Sequence, residues 1–404
     1  MVDEPRNVKD LLVEAKDASD LMVDLAYAAV FFDDDKLAGE VEKLERRSDG
    51  SLRRLRTMAM LSARSREDAE AMESVLYIAS SIEKIGEAAS DIARVVHARL
   101  GIPEALRPDL RHADEVSGRV RVRGGSAAIG RSLRDLSLPT ETGMWVMAIR
   151  RGSDWDFDPN ADTVVNESDV LLFRGPEDGL NLLREVAGAQ ALPPSPGSDG
   201  PPLSELDRAV DILVEMKNAS EAAVGLAYAC LLFQDPSLAA EVQTLEAQSD
   251  ILHDDLESWA LRAAPEARNP DDLRGLLRLA SATETICDAA REMTWYVEQG
   301  EELHPVIQLA LEETDETSAE TPVHPGSAAD GASLRELRVE TETGMFVLAV
   351  QRGRRWIYRP RPGFRMQAGD RLISVGPEEG AQALAELCGA DAEELPASTA
   401  ADRA

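Results

Sequence analysis

The sequence repeats itself at a fixed offset of 201 residues, so whatever it folds into is built twice. LLVEAKDASD (11–20) returns as ILVEMKNASE (212–221), LAYA (25–28) returns at 226–229, and GEVEKLE (39–45) returns as AEVQTLE (240–246). IASSIEKIGEAA (78–89) comes back as LASATETICDAA (279–290). Further on, TETGM at 140–144 recurs at 341–345, and Gly175-Pro176 recurs as Gly376-Pro377, with no insertion anywhere. ALPPSPGSDGPPLS (191–204) separates the copies; it is too polar to pack and reads as a linker.

Each copy changes its hydrophobic period part-way. Leu11, Ala15, Ala18, Met22, Leu25, Ala29 and Phe32 alternate steps of four and three. Val75, Ile78, Ile82, Ile85, Ala89, Ile92 and Val96 show the same seam, as do Leu238, Val242, Leu245, Ser249, Leu252, Leu256 and Trp259. Such narrow seams predict long helices packed at shallow angles, three to a copy in an antiparallel bundle, with joints near Asp33–Asp35 and Ser65–Glu67. Beyond them, RVRVRG (119–124), MWVMAIRRG (144–152) and DVLLFRG (169–175) read as strands, and SLRDLSL (132–138) and PEDGLNLLREVAG (176–188) as short helices. The second copy supplies MFVLAVQRG (345–353), RWIYRP (355–360) and DRLISVG (370–376), then the helical PEEGAQALAELCG. The fold class is therefore α+β multidomain: three-helix bundles over 1–100 and 205–305, small α/β lobes over 116–190 and 317–392. A lobe of about 70 residues is small to stand alone, so a face of each is expected to pair with another copy.

The helical part resembles the PhoU family through EKIGEAASDIA (83–93) and AYAAVFFDDDKLAGEVEKLERRSD (26–49); in the second copy ATETICDAAREM keeps part of that motif. The α/β part resembles the TrkA C-terminal (RCK C-terminal) domain through GRSLRDLSLPTETGMWVMAIRRG (130–152), GASLRELRVETETGMFVLAVQRG (331–353) and QAGDRLISVGPEEG (367–380). The resemblance implies a cytoplasmic regulator of potassium or other cation transport, acting on a membrane channel or transporter. TrkA C-terminal lobes pair as dimers, and some bind cyclic di-adenosine monophosphate where they meet. The first copy reads NESD (166–169) where the second keeps AGD, so unequal ligand competence is expected.

Charge narrows the field further. Seventy-five acidic residues against 43 basic ones leave a formal charge of −32, which repels phosphate backbones and argues against nucleic acid as a partner. So acidic a surface suits a salt-rich, halophilic cytoplasm, where screening is strong. No apolar run is long enough to span a bilayer, and the start of the chain lacks the basic flank and apolar stretch of a signal peptide. Cys230, Cys287 and Cys388 form no CxxC pair and read as small buried hydrophobes. His97, His112, His253, His304 and His324 are scattered, and no GxSxG, Walker or HExxH motif occurs, so no enzyme is expected. No GxGxxG follows a strand, so NAD is not an expected cofactor.

Two chemistries stand out. Glu45/Asp49, Glu87/Asp91, Glu246/Asp250 and Asp288/Glu292 are carboxylate pairs four apart, each on one helical face, where facing helices could share a divalent or ferric ion. PhoU proteins bear acid-x-x-x-acid motifs at these places, which is what the resemblance adds. The alternative is a solvated acidic face. Anion binding is suggested by Arg352, Arg354, Arg355, Arg359, Arg361, Arg365 and Arg371, among which Asp370 is the one acid. Arginine forks suit a phosphate and Trp356 and Tyr358 could stack a base, so the ligand set expected here is Val350, Arg352, Arg355, Trp356, Tyr358, Arg359, Pro360 and Arg361. In the first copy it is Arg150, Arg151, Pro159 and Asn160. Salt bridging to the chain's own acids is the alternative here too.

The two lobes also differ in sign. Asp154 and Asp158 stand where the second copy has Arg355 and Arg359; Asp156 and Asp162 add to one side, Arg361 and Arg365 to the other. Opposite charges on equivalent segments predict an intramolecular pseudo-dimer of the lobes, 154–162 against 355–365. A homodimer through either lobe is the alternative.

Overall fold

The computed structural model describes residues 7–101, 116–152, 154–157, 159–191, 205–265 and 270–390; linker residues 192–204, His112 and Asp158 lie outside them. The first copy runs α1 (Val8–Phe32), α2 (Asp35–Ser62), α3 (Arg66–His97), β1 (Val116–Arg121), α4 (Leu133–Leu136), α5 (Leu138–Thr142), β2 (Trp145–Arg151), β3 (Asp154–Phe157), β4 (Val170–Gly175) and α6 (Leu180–Val186). The second runs α7 (Glu205–Phe233), α8 (Pro236–Ala263), α9 (Pro270–Met293), α10 (Trp295–Glu298), α11 (Pro305–Leu311), β5 (Thr317–Pro322), α12 (Val339–Thr343), β6 (Phe346–Arg352), β7 (Arg355–Tyr358), β8 (Asp370–Gly376) and α13 (Glu378–Cys388).

These elements sort into two compact units that ignore chain order. Among the described residues, those up to 101 join those of 205–315, and those of 116–191 join those of 316–390. Like packs with like: the two bundles form one unit and the two lobes the other.

The helices stop where local chemistry stops them. Asp33 takes a left-handed conformation (φ 50°) that closes α1, and the Asp34 carboxylate accepts from the Lys36 and Leu37 amides to open α2. Ser65 and Asp68 form a reciprocal capping box at the start of α3. The apolar seam is buried as its spacing predicts, with Leu11, Ala15, Met22, Leu25 and Ala29 all under 2% exposed. Deep burial also takes two of the chain's few lysines. Lys16 reaches Asp20 at 3.0 Å and lies 5.5 Å from the Tyr228 ring centre of the other bundle. Lys217 reaches Glu221 at 2.6 Å and lies 5.3 Å from the Tyr27 ring centre. This reciprocal exchange marks a pseudo-twofold seam, reinforced by a 2.8 Å hydrogen bond between the Tyr27 and Thr283 hydroxyls.

Each lobe holds a four-stranded antiparallel sheet, ordered β1-β4-β2-β3 and β5-β8-β6-β7. Both central strand pairs, β2 with β4 and β6 with β8, shift register at the same place, between Val146 and Ala148 and between Val347 and Ala349. Two strands were not expected from sequence: β3 (DWDF) is an edge strand whose alternation runs for only four residues, and β5 (TSAETP) is a polar edge strand. Helices cover one face, with Phe173, Leu171 and Leu183 in the first core and Leu372, Val350 and Leu384 in the second.

Candidate functional site

Of the eight predicted metal-ligand carboxylates, three converge among the described residues. Glu246 and Asp250 sit one turn apart on α8 and face Asp288 on α9, with one oxygen of each within 4.8 Å of the others. Burial raises the pKa of both Glu246 and Asp288, and the neighbouring carboxylates push the same way, while Arg291, 3.7 Å from Glu246, opposes. Three convergent oxygens of this kind fit a hard cation. Glu292 stands aside, paired with Lys84 of the first bundle at 2.5 Å. The first-copy acids are differently engaged. Glu45 accepts from the Ser90 hydroxyl at 2.8 Å, and Arg94 lies 2.8 Å from Asp91 and 3.7 Å from Glu45. Glu87 has its pKa raised by burial, then by Glu83, Asp49, Glu45 and Asp91.

In the α/β unit the repeated TETGM segment makes the seam. Helices α5 and α12 pack against each other, each closed by a left-handed glycine, Gly143 and Gly344, both at φ 72°. A side chain on Gly143 would come within 2.8 Å of the Glu340 carbonyl of the other lobe, and one on Gly344 within 2.6 Å of the Pro139 carbonyl. Arg174 pairs across the seam with Glu316. Beside it opens a cavity of about 350 Å³ that Arg335, Arg338, Thr341 and Pro362 line from the second lobe and Asp178 from the first. Arg338 is held by Glu342 at 2.8 Å, and the Arg335 amide donates to the Pro362 carbonyl.

The expected ligand residues lie mostly elsewhere. Arg352 places Nε and Nη2 on the buried carboxylate of Asp370, at 2.7 and 2.6 Å, and Nη2 also reaches the Arg365 carbonyl. Arg151 does the same with Asp169 and the Val164 carbonyl. Both arginines are tied into their own lobes, and the Val350 side chain is wholly in the core. Trp356 lies under Arg371, whose guanidinium is 5.4 Å from the ring centre, and Arg150 lies 5.5 Å from the Trp155 ring. Arg355 is exposed opposite Arg352 in the β6–β7 hairpin, where Tyr358 is half-buried. Arg359 turns the chain at φ 43°, and Pro360 and Arg361 follow it toward the cavity-lining Pro362. Pro159 and Asn160 begin a turn in which the Asn160 side chain accepts from the Asp162 amide. The basic run is thus divided between internal pairing and one exposed hairpin. Sequence reasoning missed Arg335 and Arg338; the signal was RELR (335–338) facing RDLS (134–137) at the repeat offset.

Comparison with known families agrees with this division. The PhoU domain family matches residues 12–96 and 213–295, and the TrkA-C domain family matches 118–188 and 319–389. The chain carries two PhoU domains and two TrkA-C domains. Among solved structures it is similar to PhoU from Pseudomonas aeruginosa, at 14% identity and TM-score 0.38, over 72% of this chain and 96% of that one. It is also similar to the GsuK RCK domain, at 13% identity and TM-score 0.18, over 76% of this chain and 79% of that one.

The two TrkA-C domains do pair within one chain, and an ion pair that crosses their seam, Arg174 with Glu316, lies outside the oppositely charged segments 154–162 and 355–365. Asp162 pairs with Arg134 and Arg365 with Glu336, each within its own lobe. Close packing of α5 and α12 through glycine makes the seam, because backbone can approach backbone only where no side chain intervenes. Among the described residues no helix is long and apolar enough to cross a membrane.

Proposed function

We propose that this chain is a cytoplasmic regulatory subunit of potassium or other cation transport that senses a small anionic ligand at its paired TrkA-C domains. The observation that supports this reading is the 350 Å³ cavity at the domain seam, which Arg335, Arg338 and Glu340 line from one lobe and Asp178 from the other. A ligand held there touches both lobes at once, so its binding energy depends on their relative arrangement, which is the requirement for a sensor. Cyclic di-adenosine monophosphate is the first compound to try. It should raise the melting temperature of the wild type, and Arg335→Ala/Arg338→Ala should abolish the rise while Arg355→Ala leaves it. A shift that survives loss of both cavity arginines places the ligand elsewhere.

A second reading, regulation of phosphate uptake through metal-bearing PhoU domains, draws on the convergence of Glu246, Asp250 and Asp288. Removing a ligand carboxylate with Asp288→Asn should then lower divalent-ion affinity by about tenfold or more, read by titration calorimetry. Wild-type affinity in the variant defeats this reading.

A further inference from the structure

Beyond the TrkA-C cavity, the PhoU unit has a groove of its own that breaks the pseudo-twofold symmetry. It lies between the C-terminal part of α3 and the N-terminal part of α9, with a volume of about 550 Å³. Arg94, Arg274 and Arg278 line it together with Ala98, Leu277 and Ser281. Asp91 draws two of these arginines together, lying 2.8 Å from Arg94 and 3.8 Å from Arg278.

The opposite end of the same seam shows what packing alone requires. At the repeat offset, Leu76 and Ser80 stand for Leu277 and Ser281, so the floor is kept. The three arginine positions carry Trp295, Glu73 and Tyr77 instead. There the rings of Tyr77, Trp295 and Tyr296 pack on one another with centres 5.0 to 5.9 Å apart. One end is plugged by aromatic rings; the other is open and carries three guanidinium groups in a chain of formal charge −32. Joining the bundles therefore does not require the arginines.

We infer that this groove binds a phosphate ester with an apolar body. The forked guanidinium groups of Arg274, Arg278 and Arg94 receive the phosphate, which shares the latter two with Asp91, and the Ser281 hydroxyl donates to it. Ala98 and Leu277 receive the apolar part. The volume falls inside the range of roughly 300–1,000 Å³ typical of small-molecule sites. Because the groove joins helices of both copies, occupancy would clamp the two PhoU domains together.

The test is calorimetric titration of the full chain with phenyl phosphate, at an ionic strength matched to a KCl control. The wild type should bind it at least tenfold more tightly than inorganic phosphate, which has no apolar part. Arg274→Glu/Arg278→Tyr, which copies the opposite end, should cost tenfold or more. Arg335→Ala/Arg338→Ala should not change it, so this groove and the TrkA-C cavity fail or succeed separately. Should the double variant melt early, Arg278→Lys, which keeps the charge and loses the fork, must still weaken binding several-fold. Affinity unchanged in the groove variants, or equal affinity for inorganic phosphate, overturns the inference.

Discussion

Gly344→Ala is expected to destabilise the paired TrkA-C domains by roughly 2–5 kcal/mol, from left-handed strain plus overpacking. The residue holds φ 72°, and its new methyl would stand 2.6 Å from the Pro139 carbonyl of the other lobe and 3.2 Å from the Pro377 ring. A carbonyl oxygen in a packed seam cannot swing aside as a side-chain tip would. Gly353→Ala separates the two contributions, since Gly353 has φ 64° and nothing within 4 Å of an added methyl. It should cost about 1–2 kcal/mol from strain alone. Urea denaturation followed by circular dichroism reads both. Equal midpoints for the two variants would mean that the seam yields without cost.

Asp17→Asn should stabilise the protein at pH 8 by up to about 4 kcal/mol and change nothing near pH 4. Burial raises the Asp17 carboxyl from 3.8 to about 7; Lys16, 3.9 Å away, lowers it, Asp315 and Asp20 raise it further, and the Asp315 amide opposes them. The sign follows from linkage. A carboxyl whose folded pKa exceeds its unfolded value gives stability that is full below pH 3.8 and lost as pH rises to about 7. Asparagine carries no charge to desolvate and keeps the oxygen that accepts from the Asp315 amide at 3.3 Å. The chain has already made this exchange: at the repeat offset the second copy holds Asn218, which is more deeply buried than the half-buried Asp17. Because dozens of other carboxylates titrate, the informative quantity is the difference between variant and wild type across pH 4 to 8. A difference independent of pH would show that Asp17 is ionised at no cost.

Local signals were strong in the helices and weak at the sheet edges. The four-three seam and the Asp33–Asp35 break located α1 and α2 because capping and amphipathic spacing act within a few residues. Strands β2, β4, β6 and β8 were legible as dense apolar runs. The edge strands β3 and β5 were not, since β5 is recruited by the open hydrogen-bonding edge of β8 and needs no apolar face of its own. Among site residues, the acid pairs were legible as pairs, but which three would converge was not. Arg352 reads as a ligand residue until the fold places Asp370 under it.

By itself the sequence determined that the chain is built twice, which segments are bundle and which are lobe, and that its surface is strongly acidic. Tertiary structure alone decided that bundle joins bundle, against the order of the chain, and through which surfaces lobe joins lobe. It also decided that TETGM, the most literal repeat, is the lobe seam, and that Lys16 and Lys217 each meet a tyrosine of the other copy. The physical reason is range. Caps, periodicity and turn residues act over a few positions and are written in the local sequence. A seam needs two surfaces some two hundred residues apart to match in shape, and a glycine records that match only when the carbonyl it admits is in place.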